Sequence, residues 1–505
     1  MTKLWTLAIL FLSACVLRLP RLATSLSLSK DVSGVPGTPC IAITKPSSSY
    51  EVNTRRIQRA LDTASTNGQG CVSIGKGDYP VKALFVKSNT KLTLQADAKL
   101  VNVINVTLVS IVQIGPNADN VTIEGPGTLY GNAEHGWESW NAYDNRMAPY
   151  NDDGSAPRTH CLYVVNSRNV VVRGGLRLHN ATDWTFRMDN SSNIYVDDVD
   201  IYGDSRFPNN DGFDPQSCVN VTLVNSRINV ADDGVCPKAD ASMGPLTNLY
   251  VRNVTIRSKS HAIKFGSNTD TLMSNIVFDN ITIWDSNGGM SIQQRSQGDI
   301  RNVTWSNIKV ETRYEAARWW GNGEWLGITN SPRNLPCGTI RNMTFVNITG
   351  RSENGGLLSG LSGGVAGVTF ENVHIKIAAW SNWSTGPEPC CANGPICVGE
   401  KCVPHPVQTG ARIPCMGTRD YRPSPALPSG LECPEGIGRG HERTPAKADG
   451  VFLENAHDVT FKENVVFEFE SPRKGWFGDC VAVDEYSTNV KGVEGVKCVN
   501  GPGRA

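Results

Sequence analysis

The chain has 505 residues with 48 basic and 48 acidic side chains, so no global field steers it onto nucleic acid or another polyanion. An acidic substrate would therefore need local basic residues. Fifteen cysteines without a CxxC…CxxC or His-rich arrangement argue for disulfides rather than a zinc site.

Residues 1–25 carry Lys3 and an apolar run, LWTLAILFLSACVL, too short for a membrane span. They read as a secretory signal with cleavage near Ala23–Ser25, and an exported protein is expected. Leu12-Ser13-Ala14-Cys15 also fits a lipobox, which would tether the chain at Cys15 instead. Beyond residue 15 the cysteines number 14, an even count that fits full pairing.

From residue 51, EVNTRRIQRALDTA places Ile57, Leu61 and Ala64 on one helical face, with Asn53 or Thr54 as N-cap. Strand and turn patterns follow at once. A short phrase then recurs, beginning at Asn120, Asn169, Asn193, Asn220, Asn248, Asn275, Asn302, Asn342, Gly367 and Asp458. Between Asn193 and Asn302 its steps are 27, 28, 27 and 27 residues. Such a period predicts an all-β fold: a right-handed parallel β-helix capped by the helix, one domain over residues 40–500. The recurring Asn should form a ladder in the solenoid interior, leaving few of its N-x-[ST] sequons open to glycans. Residues 380–448, rich in Cys, Pro and Gly, read as a disulfide-bonded insertion, and Cys480 and Cys498 as a clasp on the last coil.

Within the repeat, NNDGFDP and ADDGVCPK place Asp211 and the pair Asp232–Asp233 about one coil apart. Either stretch alone is an ordinary Asp-Gly turn. Stacked at roughly 4.8 Å, they bring three carboxylates onto one patch. One carboxyl kept protonated and another ionised is the equipment of glycoside hydrolysis. His261 falls one further repeat on. The loop RYEAARWWGNGEWLGITN offers Trp319, Trp320 and Trp325 as faces for a sugar ring.

These stretches resemble glycoside hydrolase family 28, the polygalacturonases and their relatives. The likeness spans about residues 50–375 and 449–498. NNDGFDP is similar to that family's Asn-Thr-Asp-Gly-x-Asp-Pro motif, ADDGVCPK to its Asp-Asp motif, and SKSHAIKFGS to its Gly-His-Gly motif. The resemblance implies an inverting hydrolase of a pectic polysaccharide, with no metal or other cofactor, acting as a monomer. It makes Asp232 the general acid, Asp211 and Asp233 the groups that hold and deprotonate water, and His261 their assistant. Asn209, Lys238 and Lys264 are expected to meet substrate. Where the family has Arg-x-Lys to grip a carboxylate, GGMSIQQR carries Ser291 and Gln293, and Arg295 stands two residues further. That departure leaves open a substrate with a neutral sugar, of the rhamnogalacturonan type. A calcium-dependent lyase and a non-catalytic carbohydrate-binding β-helix are the readings from other classes.

Overall fold

The computed structural model describes residues 39–68, 70–103, 109–135, 139–141, 146–148, 158–205, 207–313, 321, 323–330, 338–360, 364–378, 396–398, 401–403, 448–470 and 478–501. The expectations for residues 1–25, Cys15, Trp319, Trp320 and nearly all of 380–448 lie outside them.

Each coil contributes one short strand to a parallel sheet on one face and a long strand that bends over the others. The long strands run Arg168–His179, Ser192–Tyr202, Val219–Val230, Leu246–Ser258, Met273–Ser286, Ile300–Thr312, Ile340–Ser352 and Val365–Ala378, each parallel to the next. At both ends of the stack two short strands replace one long one. Asp119–Glu124 and Thr128–Tyr130 both pair with Arg168–His179, and Ala456–Phe461 and Val465–Glu470 with Val365–Ala378. The fold is a parallel β-helix.

The corners are made by asparagine. Asn193, Asn220, Asn248, Asn275, Asn302 and Asn342 all hold φ between 53° and 59°, a left-handed conformation that Asn tolerates. Each amide donates to the Asn one coil earlier at 2.9–3.2 Å. A second ladder, through Asn225, Asn253 and Asn280, turns the middle of the long strands. The ladders therefore exist, but they stand at the surface corners and not in the interior. A corner amide must point outward to meet its neighbour, because the inner side of each coil is filled with apolar side chains.

The residue closing each phrase fills that interior. Phe278, Trp305, Phe345, Phe370 and Phe461 stack face to face along the axis, with centroids 4.5–6.0 Å apart. The same four-residue phrase thus supplies a corner at its first position and core at its last.

The helix, Tyr50–Thr66, packs Ile57, Ala60, Leu61 and Ala64 onto the first coils. Its N-cap is Ser49, whose hydroxyl accepts from the Val52 N–H at 3.3 Å, and not Asn53 or Thr54. Asn53 lies buried inside the helix and ties Ser47 and Pro80 to it. Disulfides join Cys40 to Cys71 and Cys480 to Cys498, the latter clasping the last coil. Full pairing fails: Cys161, Cys218 and Cys236 are free and buried, serving as small apolar side chains.

Candidate active site

The short strands of the remaining face run, in order, through His160–Val165, Phe186–Asp189, Phe213–Gln216, His261–Phe265, Gly288–Gln294 and Glu324–Asn330. Single bridges from Val235 to Phe213 and to Ile263 join the two halves. Phe213, Val235, Ile263, Met290 and Leu326 point into the core. Two residues before each, at or just ahead of the start of the strand, stand Asp211, Asp233, His261, Gly288 and Glu324. Backbone hydrogen bonds lock this column, with the Gly212 N–H donating to the Asp233 carbonyl and the Gly234 N–H to that of His261.

Asp232 and Asp233 share the site because they sit at the end of a long strand, where strict alternation of faces lapses. Both Asp232 oxygens accept backbone N–H groups: Oδ2 from Asn209 and Oδ1 from Asp233, each at 3.0 Å. Asn210, which stands where the family pattern has Thr, is fully buried. Its Oδ1 accepts from the N–H groups of Ala231 and Asp232 at 2.9 and 3.1 Å. It fastens one carboxylate-bearing turn to the next. Asn209 contributes its backbone, while its side chain accepts from Arg158 at 2.9 Å.

Lys238 and Lys264 are committed to the carboxylates. Lys238 bridges Asp211, at 3.3 Å, and Asp214, and Lys264 donates to Asp233 at 2.6 Å. Both are about 5% exposed or less, so their charge balances the cluster from within. An Asp211 oxygen, an Asp233 oxygen and the Cys236 sulfur lie within 4.8 Å of one another. That trio has the donors of a metal site, yet the two ammonium groups already hold its carboxylates. Burial also pushes the Cys236 thiol well up, away from the thiolate a metal needs.

The environments drive the carboxyls apart. Burial pushes Asp211 well above the ordinary carboxylate range, and the charges of Asp214 and Asp232 push it further. Burial raises Asp214 to about 7. Asp232 is raised by burial and by the charge of Asp233. Asp233 goes the other way: burial opposes its ionisation, but Lys264 and His261 outweigh that and lower it. One carboxyl inclined to keep its proton beside one inclined to lose it is an acid–base arrangement.

A family model for the glycosyl hydrolases of family 28 matches residues 65–392. The chain belongs to family 28. A probable exopolygalacturonase B from Aspergillus flavus is 27% identical over 207 residues, 38% of this chain and 45% of that protein. An exopolygalacturonase from Cochliobolus carbonum is 25% identical over 307 residues, 54% of this chain and 63% of that one. The chain thus spans about half the length of the curated relatives it matches. Among solved structures, the family 28 exopolygalacturonase of Yersinia enterocolitica superposes with a TM-score of 0.57 at 16% identity, over 92% of this chain and 78% of that one. The hyperthermoactive exopolygalacturonase of Thermotoga maritima gives 0.51 at 18%, over 64% and 83%. Both likenesses concern the fold.

In this family 28 chain the Arg-x-Lys positions are altered in structure as well. The Ser291 hydroxyl donates to the Gly327 carbonyl at 3.0 Å. The Arg295 side chain, 3% exposed, donates to Gln293 Oε1 at 2.9 Å. Trp325, expected at the substrate, is instead fully buried between Phe370 and Phe467, its Nε1–H donating to the Gly450 carbonyl at 3.1 Å. EWLGITN is a strand and not part of a loop, and its indole packs among core aromatic rings.

Sequence reasoning missed Asp214, Glu324 and an aromatic cluster. Asp214 was in view as the second Asp of NNDGFDP. Glu324 carried no motif. On the coils preceding Asp211, the Arg187 guanidinium lies 5.0 Å from the ring centroids of both Tyr163 and Trp184, all three half-buried. Asp189 holds Arg187 in place at 2.7 Å. Trp184 precedes Asp211 in its column, and Lys238 lies 4.1 Å from its ring centroid.

Proposed function

We propose that this protein is an exported, inverting glycoside hydrolase of pectic uronans that acts from chain ends. The observation that carries this reading is the split among neighbouring carboxyls, Asp232 raised and Asp233 lowered within one buried cluster. Asp232 donates its proton to the leaving glycosidic oxygen. Water held between Asp211 and Asp233, which have carboxylate oxygens within 4.8 Å of one another, attacks the anomeric carbon from the opposite side. Asp233, ionised by Lys264, orients that water. As the carboxylate kept ionised, Asp233 also takes the water's proton, while Asp211, whose surroundings favour its protonated form, helps to hold the water in place. Tyr163, Trp184 and Arg187 form a platform for a sugar ring beside the bond to be cleaved.

End-wise action is carried over from the names of the fungal relatives, and export is supported by the two disulfides. Among the described residues no helix is long and apolar enough to cross a membrane. The protein works as a monomer on this reading. The altered Arg-x-Lys positions favour a second possibility, a neutral sugar next to the cleaved bond, since Ser291 and Gln293 carry no charge. A reducing-sugar assay on polygalacturonate, methyl-esterified pectin and rhamnogalacturonan tests both. Release of monomeric galacturonate from polygalacturonate is expected, with proton NMR showing inversion in the first-formed product. Activity confined to rhamnogalacturonan would transfer the assignment to the second reading, and retention at the anomeric carbon would refute the mechanism.

A further inference from the structure

His261 is 1% exposed, and its two ring nitrogens face different coils. Nδ1 stands 3.8 Å from Asp233 Oδ1, beyond hydrogen-bond reach. Nε2 lies 3.0 Å from Glu324 Oε1, a residue 63 positions later in the chain. In the column the order is Asp233, His261, Gly288, Glu324, so the contact passes over a whole coil. Gly288 makes this passage possible. A Cβ there would come within 2.2 Å of His261 Cδ2 and 2.9 Å of Nε2. Every other residue type would fill the space through which imidazole and carboxylate meet.

We infer that Glu324 is a positioning residue of this site: through the gap at Gly288 it accepts the Nε2–H proton of His261, fixing the ring so that Nδ1 faces Asp233. Glu324 touches no substrate. It acts on Asp233 through the imidazole, and Asp233 in turn bears on Asp232. The charged groups around this ring are Asp232, Asp233 and Lys264 on one side and Glu324 on the other, with Glu353 buried one coil further. The intervening strand Gly288–Gln294 contributes no titratable group. Burial alone would lower the His261 pKa, but the hydrogen bond to Glu324 and the negative charges of Glu324 and Asp233 raise it above the ordinary value. The imidazolium then joins Lys264 in keeping Asp233 ionised.

The inference deepens the hydrolase reading and rests on it for its consequence, so the test has one arm that needs no substrate. In 15N-histidine-labelled protein, Glu324→Gln should lower the titration midpoint of His261, identified by its loss in His261→Asn. On polygalacturonate the same variant should lose kcat by about 10–100-fold, the range for carboxylates that orient metal-bound imidazoles, with KM near wild type. Gly288→Ala should reproduce the kcat loss with Glu324 intact. If wild type fails on every pectic substrate, the hydrolase reading falls while the titration still decides the pairing. An unchanged His261 midpoint in folded Glu324→Gln protein overturns the inference, as does a rise in KM with kcat preserved.

Discussion

The Lys264 Nζ donates to Asp233 Oδ2 at 2.6 Å, with both side chains 6% exposed or less. This cation outweighs the cost of burying the Asp233 charge, and it makes the pair a stability element as well as part of the site. Lys264→Met should destabilise the fold by about 3–5 kcal/mol at neutral pH, because it strands a buried carboxylate. A depressed carboxyl stabilises the native state above its unfolded pKa and loses that contribution as the pH falls through its folded value. Denaturant titrations of both proteins should therefore diverge most near pH 7 and begin to converge only as the pH falls below the unfolded carboxylate value of about 3.9.

The raised carboxyls act in the opposite sense. Asp211, Asp214 and Asp232 hold their protons more tightly when folded, Asp214 with a pKa of about 7. The native state thus binds more protons than the unfolded chain, whose carboxyls titrate at about 3.9. Their contribution to stability must fall as pH rises from about 4 to about 7. Tm measured across that window should drop on the alkaline side, and a Tm rising steadily from pH 4 to 7 would contradict these assignments.

Asp232→Asn tests the acid. The amide has no proton to give the leaving oxygen, so kcat should fall by about 10²–10⁴-fold, the usual worth of general acid catalysis. Circular dichroism should show the β-helix intact. An aryl glycoside whose leaving group needs no protonation should recover part of the loss. Equal defects on activated and natural substrates would remove Asp232 from that role.

Asn210→Ala should leave the N–H groups of Ala231 and Asp232 buried without their acceptor. Each orphaned group costs about 1–3 kcal/mol, so the variant should unfold at clearly lower denaturant. Asn210→Thr, which installs the residue usual in the family pattern, should restore part of this. No change in either variant would mean the two turns are fastened by other means.

Trp325→Ala should cost about 3–5 kcal/mol, as for other large aromatic side chains removed from a core. Thermal unfolding measures this directly. A substrate contact would show the reverse pattern, a raised KM at unchanged Tm.

Much of the architecture was legible because it repeats. The four-residue phrase, recurring every 27 or 28 residues, specified the coils and the Asn ladder, but neither the ladder's place at the surface corners nor the aromatic stack built by the phrase's last residue. Asp211, Asp232, Asp233 and His261 could be placed together because the turns joining their coils are short. Register beyond His261 was not legible. Successive members of the column from Asp211 to Glu324 are separated by 22, 28, 27 and 36 residues. Loop length varies freely while strand stacking stays near 4.8 Å, so distance along the chain stops reporting distance in space. Only the tertiary structure could set Glu324 against His261, pack Trp325 among core aromatic rings and assign Lys238 and Lys264 to the carboxylates. Those outcomes depend on packing between coils and on the space left by one missing Cβ at Gly288.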